Sequence, residues 1–490
     1  MVPEIRLEAG SPIPLYRQLF LRLREMIVGG ELRPGERLPP TRELAGRLGL
    51  NRTTVTAAYA LLEAEGLIRG HVGRGSFVAG GSALTGLAWE KLLPPADPAA
   101  AQPPPAGPVA ISFATSRPAE ELFPLEDLRR TADEVLRSPE APAILQLGSP
   151  AGYPPLREHL CAEARRRGLL RQRDEVVVTS GCQQGLDLLA RVLVRPGDAV
   201  VVEDPVYPGL RNVFLRAGAR VVGAPVGAGG VDLEELARLL DRFRPRLVAV
   251  TPDFQNPTGA TLEAAARQSL LRMVRAAGAV LIENDIYGDL RYEGAPQPPL
   301  KQLDESGDTV LVSSFSKVGF PGLRVGWVIA PKPLVARLIE AKQAADLHTD
   351  QLSQAILLRF AQSGRLEAHR ERVRAAGAER LRVLLAALRK HFPEGTFCSR
   401  PLGGMNLWVR LPAGLDAAAL LPRALAQGVA YLPGAYFEVS RRDPCALRLC
   451  FAGLPAEKIR RGAEILGRLF EEELHEARGA GRYEPAPALV

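Results

Sequence analysis

The sequence predicts an α/β protein with a mostly parallel sheet, preceded by a short helical module that closes on a two-stranded turn. Three observations carry that prediction. Short apolar runs alternate with helical patterns from about residue 110, three helical patterns fit into residues 1–66, and residues 79–108 are dominated by Ala, Pro and Gly. Strands buried on both faces read as near-continuous apolar runs, and strands separated by helices pair in parallel. At 490 residues the chain has room for roughly two to four domains. No stretch approaches the ~20 uninterrupted apolar residues of a membrane span. The opening Met1-Val2-Pro3-Glu4-Ile5-Arg6 shows no secretory signal. Five cysteines without CxxC spacing argue against a disulfide scaffold or a zinc module and point to a reducing cytoplasm. A formal charge of +7 is too small for this length to identify a nucleic-acid binder.

In the first module, Pro14 opens a helix carrying Leu15, Leu19, Leu23, Met26 and Ile27 at helical spacing, and Gly29-Gly30 ends it. Thr41 is placed to cap a short second helix with Leu44, Ala45 and Leu48 before Gly49. Asn51 caps a third, in which Val55, Ala58, Tyr59 and Leu62 share one face. Opposite them stand Thr53, Thr56, Ala57 and Ala60, flanked by Arg52. Small and hydroxyl side chains beside an arginine suit the major groove, where Arg reads guanine edges and Thr meets phosphate or a thymine methyl. After Gly66 the run LIRGHVGRGSFVA reads as two short strands around a turn with Arg69, His71 and Arg74. A small helical domain used for protein contacts is the plainer reading of the same pattern.

The stretch RPGERLPPTRELAGRLGLNRTTVTAAYALLEAEGLIRGHVGRGSFV resembles the winged helix-turn-helix of the GntR family of bacterial repressors. The resemblance implies operator contacts from Arg42, Arg52, Thr53 and Thr54, and from His71, Gly73 and Arg74 on the wing. Thr56 departs from the arginine many relatives carry. Residues 1–80 hold 11 Arg against 8 Glu, so charge supports DNA binding only weakly.

In the second module the strand-length runs are EVVVT at 175–179, AVVVE at 199–203, RVVGA at 220–224, LVAVTP at 247–252, AVLIEND at 279–285, TVLVSS at 309–314 and VGWVIA at 325–330. Sites in such sheets lie at the carboxyl ends of strands. After EVVVT, a Ser-Gly turn opens a helix whose free N–H groups suit a phosphate. Asn256 lies in a Pro-flanked turn after LVAVTP, and Asp285 ends AVLIEND two residues before Tyr287. TVLVSSFSK ends on Lys317, one of seven lysines, with Ser314 and Ser316 before it and Arg324 after. Taken singly, Lys317 is a loop lysine, Asp285 a turn cap, and Arg324 and Arg448 surface arginines.

Together EDPVYPG, QNPTG, ENDIYGDLRY, SSFSK-x6-R-x-GW and LRLCFAG, in that order, resemble the fold-type I aminotransferases that use pyridoxal phosphate (PLP), over roughly residues 110–472. That resemblance implies a large domain with the mostly parallel sheet and a small α+β domain. It implies that Lys317 forms the Schiff base, since only a primary amine makes an imine that an incoming amino group can displace. Asp285 would pair with the pyridinium nitrogen, Tyr287 and Asn256 with the ring hydroxyl oxygen, and Tyr207 would stack on the ring. The phosphate would take the turn at Ser180, Gly181, Cys182 and Gln183, the hydroxyls of Ser314 and Ser316, and the Arg324 guanidinium. Arg448 would clamp a substrate carboxylate. Leu147 stands where many relatives carry a tyrosine that reaches the partner subunit's phosphate, with Tyr153 nearby as a partial substitute.

A GntR-like winged helix joined to an aminotransferase-like domain is the architecture of the MocR/GabR class of regulators, which bind promoter DNA as dimers, often head-to-tail. The expected division is a DNA-binding domain over 1–79, a linker over 80–108, a PLP-binding domain over 109–476 and a tail over 477–490. Apolar Leu84, Leu87, Trp89, Leu92 and Leu93 suggest that part of the linker docks on a neighbour. Two functions follow: a regulator that senses an amino compound, or a working aminotransferase of the kynurenine or 2-aminoadipate type with an appended DNA-binding arm.

Overall fold

The computed structural model describes residues 13–71, 75–79 and 109–479, together with Ile5, Leu7, Glu8 and Leu93. The expected linker docking, the wing turn and the tail beyond Gly479 lie outside the described residues, apart from Leu93; contrary to expectation, the last helix runs on to Gly479 and Ala477 is buried. Contacts divide the chain into two compact units, Met1–Asp97 and Pro98–Val490.

In the first unit α1 (Leu15–Val28), α2 (Thr41–Leu48) and α3 (Arg52–Ala64) precede a hairpin of β1 (Ile68–His71) and β2 (Gly75–Val78). The apolar stripes of the three helices meet in one core, with Leu19, Leu23 and Met26 against Leu44, Val55, Ala58 and Leu62. The Asn51 side chain accepts a hydrogen bond from Thr53 N at 3.1 Å, capping α3 as its sequence suggests. The cap of α2 differs from expectation. Pro40 holds the capping position, Thr41 is the first helical residue, and no side chain closes the end. Proline suits that place because the first helical N–H groups need no intrahelical acceptor. Gly49, at φ 65°, ends α2 in the left-handed conformation that glycine adopts without strain.

The second unit begins with β3 (Ile111–Ser112). Its main sheet consists of β4 (Asp174–Thr179), β5 (Ala199–Asp204), β6 (Arg220–Gly227), β7 (Gly230–Val231), β8 (Leu247–Val250), β9 (Val280–Asp285), β10 (Val310–Ser314) and β11 (Gly326–Pro331). Their order is β4-β11-β10-β9-β8-β5-β6-β7. All seven apolar runs form strands. From β10 to β6 the neighbours pair in parallel, whereas β11 runs antiparallel to both β10 and β4. The chain between β10 and β11, residues 315–325, contains only short 3-10 turns, too little for the crossover a parallel return needs. Side chains alternate across the sheet. Val177, Val200, Val202 and Val312 meet the helices Cys182–Leu193 and Lys332–Asp346, while Val176, Val178 and Leu311 face Leu156 and Leu357.

The smaller part is a four-stranded antiparallel sheet of β12 (Phe397–Cys398), β13 (Asn406–Arg410), β15 (Leu432–Pro433) and β16 (Ala446–Cys450), in the order β12-β13-β16-β15. Helices Arg365–His391 and Ala456–Gly479 share its apolar core. β14 (Val429–Ala430) pairs in parallel with β3, which fastens the start of the unit to this small domain. No helix among the described residues is long and apolar enough to cross a membrane.

Candidate cofactor and DNA-binding sites

The carboxyl ends of β4, β9 and β10 converge where the antiparallel β11 begins. One 3-10 turn beyond β10, Lys317 extends its Nζ to the Ser116 carbonyl, donating at 2.6 Å, and lies 5.7 Å from the centre of the Tyr287 ring. Ser314 closes that turn by accepting from Ser316 N at 2.9 Å, and its hydroxyl donates to Ser316 Oγ at 2.7 Å. Asp285 ends β9 and accepts from Gly288 N at 3.2 Å. Burial, reinforced by Asp289 and Asp253 and opposed by Arg167, lifts its carboxyl to about 6. One further carboxyl, that of Glu203 on β5, is buried. Glu203 accepts from Thr251 N at 3.1 Å and Gln255 Nε2 at 3.3 Å, and burial pushes it up to about 8.

Gly181, at φ 79°, turns the chain from β4 into the helix Cys182–Leu193, whose N-terminus has no side-chain cap. The Arg324 guanidinium lies over that turn and donates from Nη2 to the Ser180 carbonyl at 3.2 Å. A Cβ on Gly181 would stand 2.5 Å from this nitrogen. Gly326, the first residue of β11, presses on the same turn from the other side, where a Cβ would fall 2.7 Å from Gly181 C and 2.9 Å from Cys182 N. An uncapped helix N-terminus, two hydroxyls and a guanidinium thus surround one turn, a set of donors suited to an anion. Burial pushes the Cys182 thiol up, although Lys317 and Arg324 oppose it, so its side chain stays neutral.

Arg448 on β16 is buried beside the Phe437 ring, with its guanidinium carbon 5.0 Å from the ring centre. Its Nη1 donates to Asn256 Oδ1 at 3.2 Å, its Nη2 donates to the Ala114 carbonyl, and its Nε has no partner. Asn256 Nδ2 in turn donates to the Tyr287 hydroxyl at 3.5 Å, and the Ser116 hydroxyl lies 3.3 Å from the same oxygen. Tyr207 opens the helix Pro208–Arg216. It is 36% exposed, and its phenol is pushed up by desolvation and by Cys182 and Tyr287 and lowered by Arg448 and Arg324.

The contacts of residues 114–116 had no signal in the sequence, since ATSRPAEE reads as an ordinary loop. A second unanticipated feature supports the Asn256 turn from below. Asp253 accepts from Arg267 Nη2 and Arg291 Nη2, each at 2.8 Å, and the Arg291 guanidinium covers the Phe254 ring at 4.8 Å. Leu147 is 74% exposed, while Tyr153 packs among the apolar side chains of its own subunit.

On α3, Arg52 and Thr53 are exposed and Thr54 is half-buried, while Arg42 is exposed on α2. Among the described residues, Arg42 and Arg52 make no ion pair, so both guanidinium groups are open to solvent. The His71 backbone pairs with Gly75 across the wing. The His71 side chain, Gly73 and Arg74 lie outside what the structure describes.

Residues 111–466 match the family "Aminotransferase class I and II", and residues 15–78 match "Bacterial regulatory proteins, gntR family". The chain belongs to the aminotransferase class I and II family and carries a gntR-type domain over residues 15–78. It is 39% identical to the 2-aminoadipate transaminase of Thermus thermophilus, over 74% of this chain and 90% of that one. It is 30% identical to the probable rhizopine catabolism regulatory protein MocR of Rhizobium meliloti, over 95% of each chain, and 32% identical to the regulator TauR of Rhodobacter capsulatus, over 94% of this chain and 98% of that one. Among solved structures, it is similar to the α-aminoadipate aminotransferase LysN of Thermus thermophilus, complexed with N-(5'-phosphopyridoxyl)-L-leucine. That match has TM-score 0.71 at 38% identity and covers 75% of this chain and 93% of that one. The cofactor of this aminotransferase-type site is PLP. The donor set around Gly181 fits its phosphate, and the half-buried Asp285 carboxyl at the end of β9 fits a ring nitrogen.

Proposed function

We propose that this chain is a PLP-binding transcription regulator of the MocR type, which reads promoter DNA through its first unit and an amino compound through its second. The observation that carries this reading is coverage. The regulators align over 94% to 95% of the chain, whereas the aminotransferases align over 74% and leave the gntR-type unit unmatched.

When bound, PLP supplies an aldehyde and an electron-accepting ring. Lys317 offers the primary amine, and Asp285 holds a proton at the ring nitrogen. Tyr287 and Asn256 direct hydrogen bonds to the ring oxygen, and Tyr207 covers the ring face. Ser314, Ser316, Arg324 and the helix N-terminus after Gly181 hold the phosphate, and Arg448 grips a carboxylate. In the first unit, Arg42, Arg52, Thr53 and Thr54 meet the operator, with the wing residues His71, Gly73 and Arg74 beside them. The domain limits read from the sequence, 1–79, 80–108, 109–476 and 477–490, belong to the same proposal. So do a homodimer on promoter DNA, arranged head-to-tail, and a reducing cytoplasm, to which five free thiols are suited.

A second reading, a working aminotransferase, is favoured by the intact set of Lys317, Asp285, Tyr287, Asn256 and Arg448. Two measurements separate the readings. Gel-shift against the DNA upstream of its own gene should show binding altered by PLP and an amino acid. No binding under any of these conditions moves the assignment to a plain aminotransferase. Lys317→Ala should abolish the visible absorbance of bound PLP, and a band that survives refutes the lysine assignment.

A further inference from the structure

We propose that residues 114–116 form a latch that competes with ligands for Lys317 and Arg448, so that filling the site frees this segment. The proposal rests on the regulator reading above.

The segment before the latch is fixed by sheet bonds. β3 pairs with β14, Phe113 N donates to the Ala430 carbonyl at 2.8 Å, and Cys450 N donates to the Phe113 carbonyl at 2.9 Å. Beyond it the chain enters the 3-10 turn Glu120–Leu122. Between these anchors, the two main-chain oxygens of Ala114 and Ser116 are held by the two cations of the site. Neither hold survives occupancy. With PLP in place, the Lys317 amine would be committed to the cofactor's aldehyde, with water as the leaving group, and would no longer be free to donate to the Ser116 carbonyl.

Arg448 is displaced differently. A carboxylate binds a guanidinium most strongly through two parallel N–H bonds. Nη1 is occupied by Asn256, whereas Nε is buried and without a partner, and Nη2 holds only the Ala114 carbonyl. The Nε and Nη2 edge is therefore the one a carboxylate takes, which expels the Ala114 carbonyl and leaves the Asn256 bond intact. An amine without a carboxylate leaves the Arg448 hold on the Ala114 carbonyl in place. The latch thus makes the full response specific to amino acids, through backbone oxygens rather than a side-chain pocket.

The test needs no identified ligand. In PLP-free full-length protein, Lys317→Ala and Arg448→Gln each remove one hold, and Arg448→Lys removes the Nη2 contact while keeping the buried charge. Hydrogen exchange in the peptide spanning 113–118 should be faster in each variant than in wild type. Affinity for the upstream DNA, followed by fluorescence anisotropy at fixed salt, should shift in one direction for all three, by roughly the 5- to 150-fold of ordinary allosteric coupling. If Arg448 serves only to clamp a carboxylate, its PLP-free variants bind DNA as PLP-free wild type does. Unchanged exchange, or faster exchange with unchanged DNA affinity, overturns the latch. Wild type that fails to bind its upstream DNA sinks the regulator reading instead, and the exchange result then judges the latch alone.

Discussion

Replacing Gly326 by alanine tests the phosphate cradle at its tightest point. The new Cβ would stand 2.7 Å from Gly181 C and 2.9 Å from both Gly181 Cα and Cys182 N. Unstrained carbon contacts lie at about 3.5–4.0 Å, so β11 and the Gly181 turn must separate by close to an ångström. Overpacking of this kind costs about 1–3 kcal/mol of stability. The functional loss is larger than the melting shift suggests, because the turn that must move carries the N–H groups aimed at the phosphate. One hydrogen bond to a charged group contributes about 1.5–3 kcal/mol, so PLP affinity should fall on the order of 10- to 100-fold. Equilibrium titration with PLP, followed by visible absorbance, measures the change. Gly322→Ala is the control, since a Cβ there meets nothing within 4 Å although the residue belongs to the same connection. If both variants bind PLP equally well, the cradle does not sit between β4 and β11.

Three further outcomes are expected. Glu203 titrates near 4.5 when free and near 8 in the fold, so its contribution is full below about pH 4.5 and is lost as pH rises towards 8. That loss amounts to roughly 5 kcal/mol at most. Glu203→Gln should flatten the fall in denaturant stability between pH 5 and pH 9, and an unchanged slope disproves the assignment. Asp253→Ala leaves the fully buried Arg267 without its carboxylate and should cost roughly 3–5 kcal/mol in unfolding experiments. A cost below about 1 kcal/mol would mean that water replaces the lost partner. Arg52→Ala should lower the slope of log affinity against log salt for DNA binding by about 1 if the side chain meets a phosphate. An unchanged slope, with discrimination lost at one base pair, assigns Arg52 to a base edge instead.

Most of the large domain could be read from the chain, because each buried strand is a short apolar run and each motif follows one. Helical spacing and turn residues likewise placed both ends of α1 and the start of α3 to within a residue. What periodicity could not supply was direction. VGWVIA looks like the other runs, and only the shortness of residues 315–325 forces β11 to run back. Thr41 misled because a hydroxyl before an apolar stripe usually caps a helix, whereas here the proline before it holds that place. The side chains proposed for the cofactor site were legible through residue type and order. Their partners were not, since Ala114 and Ser116 act through main-chain oxygens and Asp253 gains meaning only beside Arg267 and Arg291.

The reversed strand has one more consequence. Ser314 and Gly326 are opposed in the register of β10 and β11, so the chain from Lys317 to Arg324 is a closed loop with both ends pinned. Its contour sets the separation between the Lys317 amine and the Arg324 guanidinium, and under the proposed assignment it would act as a ruler for the cofactor they hold. Such a ruler tolerates substitution far better than a change of length. One inserted residue, if absorbed by a register slip in β11, would turn Trp327 and Ile329 to the opposite face of the sheet. Variation at this site should therefore accumulate in side chains, while the number of residues between the two strands stays fixed.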